Sequence, residues 1–593
     1  MAINWEKLQN KEDFFDEKLY EAIYNNKDEE INFMKYATKA KVSTKADKAY
    51  SDFKKNKQLE ESLNSVIDFG ERAPIRKMVS PGYYKDVDNH IRTLDKRNTL
   101  VTATLIEPVA ILKNQETEEE LVKCAYLNRN RWQYVIINRE TILHNGKITR
   151  LANKGIDVTS DSARLLVGFL RDLLYSNEIP EYVSTSKMGW HDGEFLPYDE
   201  SIEFDGEDAF QTAFESLHEQ GSFEKWYEQV SYDRKDNVPL KLVMATSFAS
   251  PLLHILERQS FVTLLWGGTD TKKTVSGRIA MSIWGDSQRG KLMFSMNNTT
   301  NYYFRIADFF NHIPVFFDEL QTLSKNVSVD KLIMNITEGI DRGKATAEGG
   351  VEKSKHWNNT FIFTGEESAS NINSGGGTLN RLIEIYVAKS LVEDGIKTCN
   401  VLNDNYGTAG KKFIDFIKTL SKESLQEKFN EKYKELMTLS QTESKQAINM
   451  AMLLLADDLA CQCIFQNETP LKAEQVAEYM FTKKEIDNTE RAYETFLDEI
   501  EINRTKFQIE SNSNTEFWGF FRSDGNTDYT VCIVGKKLRD ILMKNGFNYT
   551  KALKDWERKG LVHKNKFGKF VESISHNGIK GNFIEIKIRK EEE

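Results

Sequence analysis

The rhythm of apolar and polar positions changes several times along the chain, and those changes divide it. Residues 1 to 95 carry charge throughout at mainly helical spacing, with a break at Ser80-Pro81-Gly82, and predict an N-terminal helical region. Short β-type runs then take over between Thr99 and Tyr198, among them LVTATLIEPVAIL and RWQYVIINRETILHNG, followed by a helix over 162–176. These predict an α/β accessory domain, assigned to 96–225. Helical spacing returns, and Val238 to Glu257 predict a helix that feeds the apolar run at Phe261. Across 226–395 strand and helix alternate, as a parallel sheet with crossover helices requires, with strands expected at 261–266, 291–296, 315–317, 360–364 and 382–387. From 396 to 510 the spacing is almost wholly helical, which suits a lid over a ligand site and a linker after it.

A turn cluster at Asp524-Gly525-Asn526 opens a last region, 525–593. It reads as a strand at 530–534, a helix at 536–545 ending at Gly546, a second helix at 549–559 stopped by Gly560, and two β-runs around Asn577-Gly578. A short strand, two helices and a β-ribbon resemble a winged helix. The expected fold class is therefore multidomain α/β.

Charge sharpens the last assignment. The chain has 80 Lys and Arg against 90 Asp and Glu, a net charge of −10, which argues against a uniformly basic nucleic-acid coat. Residues 531–590 alone hold 15 Lys or Arg against 5 Asp or Glu, a net of +10. That local reversal favours a polyanion partner, with Lys551, Lys554, Arg558 and Lys566 as candidate DNA contacts; a solvated lysine-rich surface is the alternative. The five cysteines are scattered, and Cys461 and Cys463, two apart in an expected helix, point in different directions, so reduced thiols are expected and zinc is not. The N-terminus has no apolar signal core, and the apolar stretch from Ala447 to Phe465 contains Asp457 and Asp458, so a cytoplasmic protein without a membrane partner is expected.

Candidate chemistry concentrates in the alternating region. The run FVTLLWGGTDTKKT, Phe261 to Thr274, is a β-type segment ending in a glycine turn and followed by a helix-compatible stretch. That is the grammar of a phosphate-binding loop, in which backbone N–H groups and a helix N-terminus surround phosphates, a lysine reaches the outer ones and a hydroxyl joins Mg²⁺. Gly267, Gly268, Thr269, Asp270, Thr271 and Lys272 would form the turn, and Lys273 and Thr274 would close it. Lys272 stands where a glycine is expected. Further on, IPVFFDEL delivers Asp318 and Glu319 at the end of an apolar strand, the first suited to supporting Mg²⁺ and the second to polarising an attacking water. Alone, that pair could be a solvated acidic turn; with the loop upstream it favours an ATPase using ATP and Mg²⁺.

Three more features follow. The segment from Gly343 to Trp357 reads as a hairpin turning at Gly349-Gly350, with Lys344 facing Lys355 and Thr346 facing Lys353. Opposed lysines destabilise an isolated hairpin and make more sense against phosphates, although a plain surface hairpin fits the pattern too. The strand NNTFIFTGEES ends in Thr364, placed to emerge beside the acidic pair. Arg381 enters a core strand in TLNRLIEIYV, where its charge needs either an intrasubunit carboxylate or phosphate in a neighbouring subunit.

In this order the parts resemble AAA+ ATPases of the MCM-like class, and in particular the MCM-like replicative helicases encoded by staphylococcal cassette chromosomes and pathogenicity islands. The resemblance covers about 100–390 and the C-terminal region. It implies a homohexameric ring that unwinds duplex DNA and holds single-stranded DNA in its pore, with Lys273 and Thr274 as the loop pair, Asp318 and Glu319 as the metal and water residues, Thr364 as sensor, Arg381 as an intersubunit finger, and Lys344, Lys353 and Lys355 on a pore hairpin. Lys272 departs from the family pattern, and no sensor arginine in the lid or N-terminal zinc ribbon is visible. The competing readings are an origin-binding or regulatory protein that binds ATP with weak hydrolysis, and a packaging or signalling ATPase that shares only the core.

Overall fold

The computed structural model describes residues 3–588 except 4, 9, 25, 64, 96, 200, 342–353, 371–373, 441–444, 482–485, 508–515, 524–528 and 577–578. It separates into two compact units, residues 1–186 with 201–206, and residues 187–200 with 207–593.

The first unit has two cores. Helices Glu17–Ile23, Lys27–Lys39 and Ser43–Leu63 pack Phe14, Phe33 and Tyr50 into a small aromatic cluster. Short strands begin at Val66–Asp68, earlier than helical spacing over 1–95 predicts, and their Ile67, Met78 and Ile91 belong to the larger core that follows. That core lies between helix Ala163–Ser176 and a five-stranded mixed sheet ordered Ile202–Phe204, Glu181–Thr185, Ile106–Asn114, Glu120–Asn128, Arg131–Asn138. The accessory domain therefore closes with residues 201–206 rather than running to 225, because Ile202–Phe204 adds an edge strand while residues after Gly206 join the second unit.

In the second unit five strands form one wholly parallel sheet: Met293–Ser295, Val315–Asp318, Phe361–Gly365, Val262–Trp266 and Leu382–Tyr386, in that spatial order. Their residues are almost all buried, as expected for a parallel sheet covered on both faces. The strand that begins the motif region is fourth in space, so the chain reverses its winding beside it. Ligands of open α/β sheets bind outside the carboxyl ends of strands at such a reversal. Helix Val238–Ile255 is long and apolar enough to cross a membrane by length and composition, but 78% of that window is buried, against the sheet and helix Lys445–Cys463.

The segment assigned to a lid is helical, with helices Thr408–Lys418, Lys422–Ser440 and Lys445–Cys463 among them. Its helices are anchored by a buried ion-pair cluster. Arg234, wholly buried, donates to Asp457 at 2.9 Å and Glu468 at 2.7 Å, and its guanidinium lies 4.2 Å from the Phe465 ring. A buried charge held by two carboxylates ties the helices to the core. Helix Asn488–Ile502, within the segment read as lid and linker, shares one core with helices Gly535–Lys544 and Tyr549–Arg558 and the antiparallel sheet Gly519–Ser523, Tyr529–Val534, Ile579–Ile588, Val571–His576. The winged module thus begins near residue 488.

Candidate functional site

The loop between Trp266 and helix Lys273–Ser282 is built on three residues with positive φ. Gly267 has φ +146°, and a Cβ there would lie 2.5 Å from the Val387 carbonyl oxygen, so only glycine fits. Asp270 and Lys272 have φ of 66° and 60°. The Lys272 value supplies the physical reason a glycine is expected at its position: this backbone is left-handed, and a lysine adopts it at a cost of about 1 kcal/mol. The Lys272 stem runs over Gly395, with Cδ 3.3 Å from where a Cβ would stand. Beneath the loop, Gly277 lets the helix approach its sheet, since a Cβ there would come within 2.3 Å of the Phe316 ring.

Lys273 curls over the loop, its ammonium donating to the carbonyl oxygens of Gly267 at 2.8 Å and Gly268 at 2.7 Å and to Thr271 Oγ1 at 3.0 Å. Burial holds its pKa below the ordinary lysine range, against the pull of Glu366 and Asp318.

Asp318 and Glu319 end the second strand of the sheet. Asp318 is 2% exposed, and its Oδ1 accepts from Thr274 Oγ1 at 3.0 Å and from Thr364 Oγ1 at 2.5 Å. Thr364 Oγ1 in turn accepts from the Glu319 N–H at 3.0 Å. Two threonines thus position one carboxylate, and Thr364 ties it to the next residue. Glu319, with φ of 67°, turns its more exposed side chain outward from this knot; strain of this kind concentrates at functional sites. Residues 269–275, Asp318, Glu319, Gln321, Thr364, Gly365 and Glu366 enclose about 260 Å³. A hydroxyl beside a carboxylate oxygen is a hard oxygen donor set, which fits Mg²⁺.

One cation here was not anticipated. Arg289 Nη2 lies 3.2 Å from Asp318 Oδ2 and 3.8 Å from Glu319 Oε2. Nothing local in the sequence marks it; Arg289 arrives because the short strand Met293–Ser295 pairs directly with Val315–Asp318.

Other expected residues lie apart from this knot. Arg381 precedes Leu382–Tyr386, and its carbonyl oxygen accepts from the Val262 N–H at 2.9 Å, so it stands at the amino end of the sheet. That is one strand length, roughly 16 Å, from the loop end. Its Nη1 donates to the Gly377 carbonyl oxygen at 3.0 Å and lies 3.3 Å from Met334 Sδ, while its buried Nε has no partner among the described residues. Among the described residues it makes no ion pair, so the intrasubunit carboxylate considered for it is not found.

Lys344 and Lys353 lie outside the described residues. The base of their hairpin is described, and its register differs from that expected: Ile340 pairs with His356, and the Asp341 N–H donates to the Lys355 carbonyl oxygen at 2.9 Å. Lys355 therefore sits opposite Asp341 at the base, not opposite Lys344. The register follows the anchor, since Trp357 is buried, donates to the Ile336 carbonyl oxygen at 2.6 Å and stacks on Phe304.

Among the described residues, none of 396–510 lines the loop pocket. Another cavity, of about 1000 Å³, opens at the amino ends of the strands beside Ser260, His312 and Asn358. It lies at the opposite end of the sheet from the loop chemistry and shares no lining residue with it, so the smaller pocket is the candidate site. In the C-terminal module Lys551, Lys554 and Arg558 are exposed on helix Tyr549–Arg558, with Arg558 3.2 Å from Asp555, and Lys566 is exposed beyond it.

Comparison with known proteins adds two family matches. Residues 78–357 match the family described as Domain of unknown function (DUF927), and residues 487–591 match the family described as Cch helix turn helix domain. The second match begins where the packing places the start of the winged module. No curated protein matches. Among solved structures the chain is similar to "SCCmec type IV Cch - active helicase", with a TM-score of 0.65 and 17% identity over 86% of this chain and 97% of that one. The chain shares the fold of that helicase nearly throughout and ends in a helix-turn-helix module.

Proposed function

We propose that this chain is an ATP-dependent, Mg²⁺-requiring DNA helicase of the AAA+ MCM-like kind, working as a homohexameric ring in replication of a mobile genetic element. The observation that carries the proposal is the knot Thr274–Asp318–Thr364–Glu319 beside Lys273, at the carboxyl ends of a parallel sheet whose winding reverses there. In this reading Gly267 to Lys272 wrap the phosphates with backbone N–H groups, and Lys273 leaves its loop carbonyls to meet the β- and γ-phosphates. Thr274 and Asp318 would hold Mg²⁺, which neutralises phosphate charge when bound. Thr364 keeps Asp318 and the Glu319 backbone in register, leaving the Glu319 carboxylate to orient water for in-line attack. Arg381, facing away from its own loop with part of its guanidinium unpartnered, suits a role at the neighbouring subunit's phosphates. The solved helicase of similar fold and the helix-turn-helix match support DNA as the partner.

The test is phosphate release from ATP with and without DNA, for the wild-type chain and Glu319→Gln. The proposal expects DNA-stimulated turnover that falls at least 100-fold in the variant while nucleotide binding persists. Loss of binding and turnover together would make Glu319 structural. A second reading, a regulatory ATP-binding protein with weak hydrolysis, is favoured by the strained Lys272 and by Lys273 bonding to its own loop. Wild-type turnover that DNA does not raise would select it.

A further inference from the structure

Phe567 is 76% exposed, whereas Phe496, Trp556 and Phe583 of its module are buried and Trp518, Phe547 and Tyr549 are half-buried. It stands at the tip of a turn that directly follows helix Tyr549–Arg558 and the buried Leu561 and Val562. The turn is pinned by a single side chain. Asn565 Oδ1 accepts from the N–H groups of Phe567 at 2.9 Å and Lys569 at 3.0 Å, and its Nδ2 donates to the Val571 carbonyl oxygen at 2.9 Å. Backbone bonds from Asn565 to Lys569 and from Gly568 to Asn565 close it, with Gly568 at φ +72°. The ring is therefore presented on a rigid support.

Its surroundings are cationic. Lys566 Nζ lies 5.2 Å from the Phe567 ring centroid, and among the described residues neither Lys566 nor Lys569 pairs with a carboxylate. One apolar ring held out among unpaired ammonium groups matches the two faces of a nucleotide, a flat base and a charged phosphate. A lipid surface would also take cations with an aromatic, but a single ring offers little apolar area for insertion.

Resting on the reading of this module as DNA-binding, we infer that Phe567 stacks on an unpaired base, with Lys566 and Lys569 on the flanking phosphates, so that the C-terminal module engages single-stranded tails at a junction. The duplex contacts would belong to Lys551 and Lys554.

The experiment uses the full chain without nucleotide and measures affinity for a single-stranded tail carrying 2-aminopurine, for a blunt duplex of equal length, and for phosphatidylserine vesicles. Phe567→Ala and Phe567→Leu should each weaken tail binding about 10-fold and abolish the quenching of 2-aminopurine, while Phe567→Trp retains both and blunt-duplex affinity is unchanged in all three. Wild-type tail binding by Phe567→Leu would overturn stacking in favour of a simple apolar contact. An equal loss on blunt duplex would point to a wedge between paired bases, and a loss confined to vesicles would point to lipid. If Lys551→Ala with Lys554→Ala weakens duplex binding while Phe567→Ala leaves the tail untouched, the stacking inference alone falls. If the wild-type chain binds neither DNA, the DNA-binding reading falls with it.

Discussion

At the scale of single residues the site depends on how the two adjacent lysines divide their work. Lys273 points into the loop and Lys272 carries the left-handed backbone, so the two are not interchangeable. Replacing Lys273 with alanine should remove ATP hydrolysis; near-normal turnover would transfer the phosphate role to Lys272. Replacing Lys272 with glycine should relieve about 1 kcal/mol of backbone strain and leave turnover intact or improved, read as a rise in melting temperature together with hydrolysis rate. A fall in both would show that the Lys272 stem over Gly395 matters more than the strain. The lysine and threonine were legible in the sequence because a glycine turn after an apolar strand leads to them, and the acidic pair because it ends another apolar strand. Arg289 was not, because it meets Asp318 only through strand pairing across 29 residues of chain. Removing it takes a competing positive charge from Asp318, so Arg289→Ala should lower the Mg²⁺ concentration needed for half-maximal nucleotide binding.

At the scale of elements the main constraints are close approach and burial. Gly277→Ala sets a methyl against the Phe316 ring and should cost about 1–3 kcal/mol of stability, measured by denaturant unfolding; a neutral effect would mean the helix can shift away from its sheet. In the N-terminal unit the strand Ile106–Asn114 buries Glu107, whose one hydrogen bond, from the Ile75 N–H at 2.9 Å, does not offset burial, and its pKa is pushed up to about 7. The folded carboxyl keeps its proton to about pH 7 while the unfolded one releases it near pH 4. Stability contributed here is therefore greatest at low pH and declines as pH rises through that window, by up to about 3 kcal/mol. Amide-exchange free energies of this strand should fall from pH 5 to pH 8 in the wild type and stay level in Glu107→Gln. Parallel strands were readable from apolar runs and the winged module from its turn glycines. The lid's packing was not, because helical periodicity gives a buried face without naming what covers it; Arg234, Asp457 and Glu468 settle that only in three dimensions. The hairpin register failed for a related reason: Gly349-Gly350 suggested the turn, whereas buried Trp357 sets the base.

At the scale of the whole molecule the proposal joins a nucleotide knot at one end of a sheet, an arginine without an ion pair among the described residues at the other, and a cationic module whose net charge opposes that of the chain. The arginine makes the ring testable, because a residue one strand length from its own loop can act on phosphate only in a second copy. Subunits carrying Arg381→Ala should hydrolyse ATP poorly, and adding Lys273→Ala subunits, which keep Arg381, should restore part of the rate. The central claim, that hydrolysis at this loop drives strand separation, is tested most directly by unwinding of a forked duplex by the wild-type chain, with Glu319→Gln as the control. The account predicts strand separation that requires ATP and Mg²⁺ and is lost in the variant although it still binds nucleotide and DNA. Forks left intact by a wild-type chain that hydrolyses ATP, or opened equally well by Glu319→Gln, would contradict it.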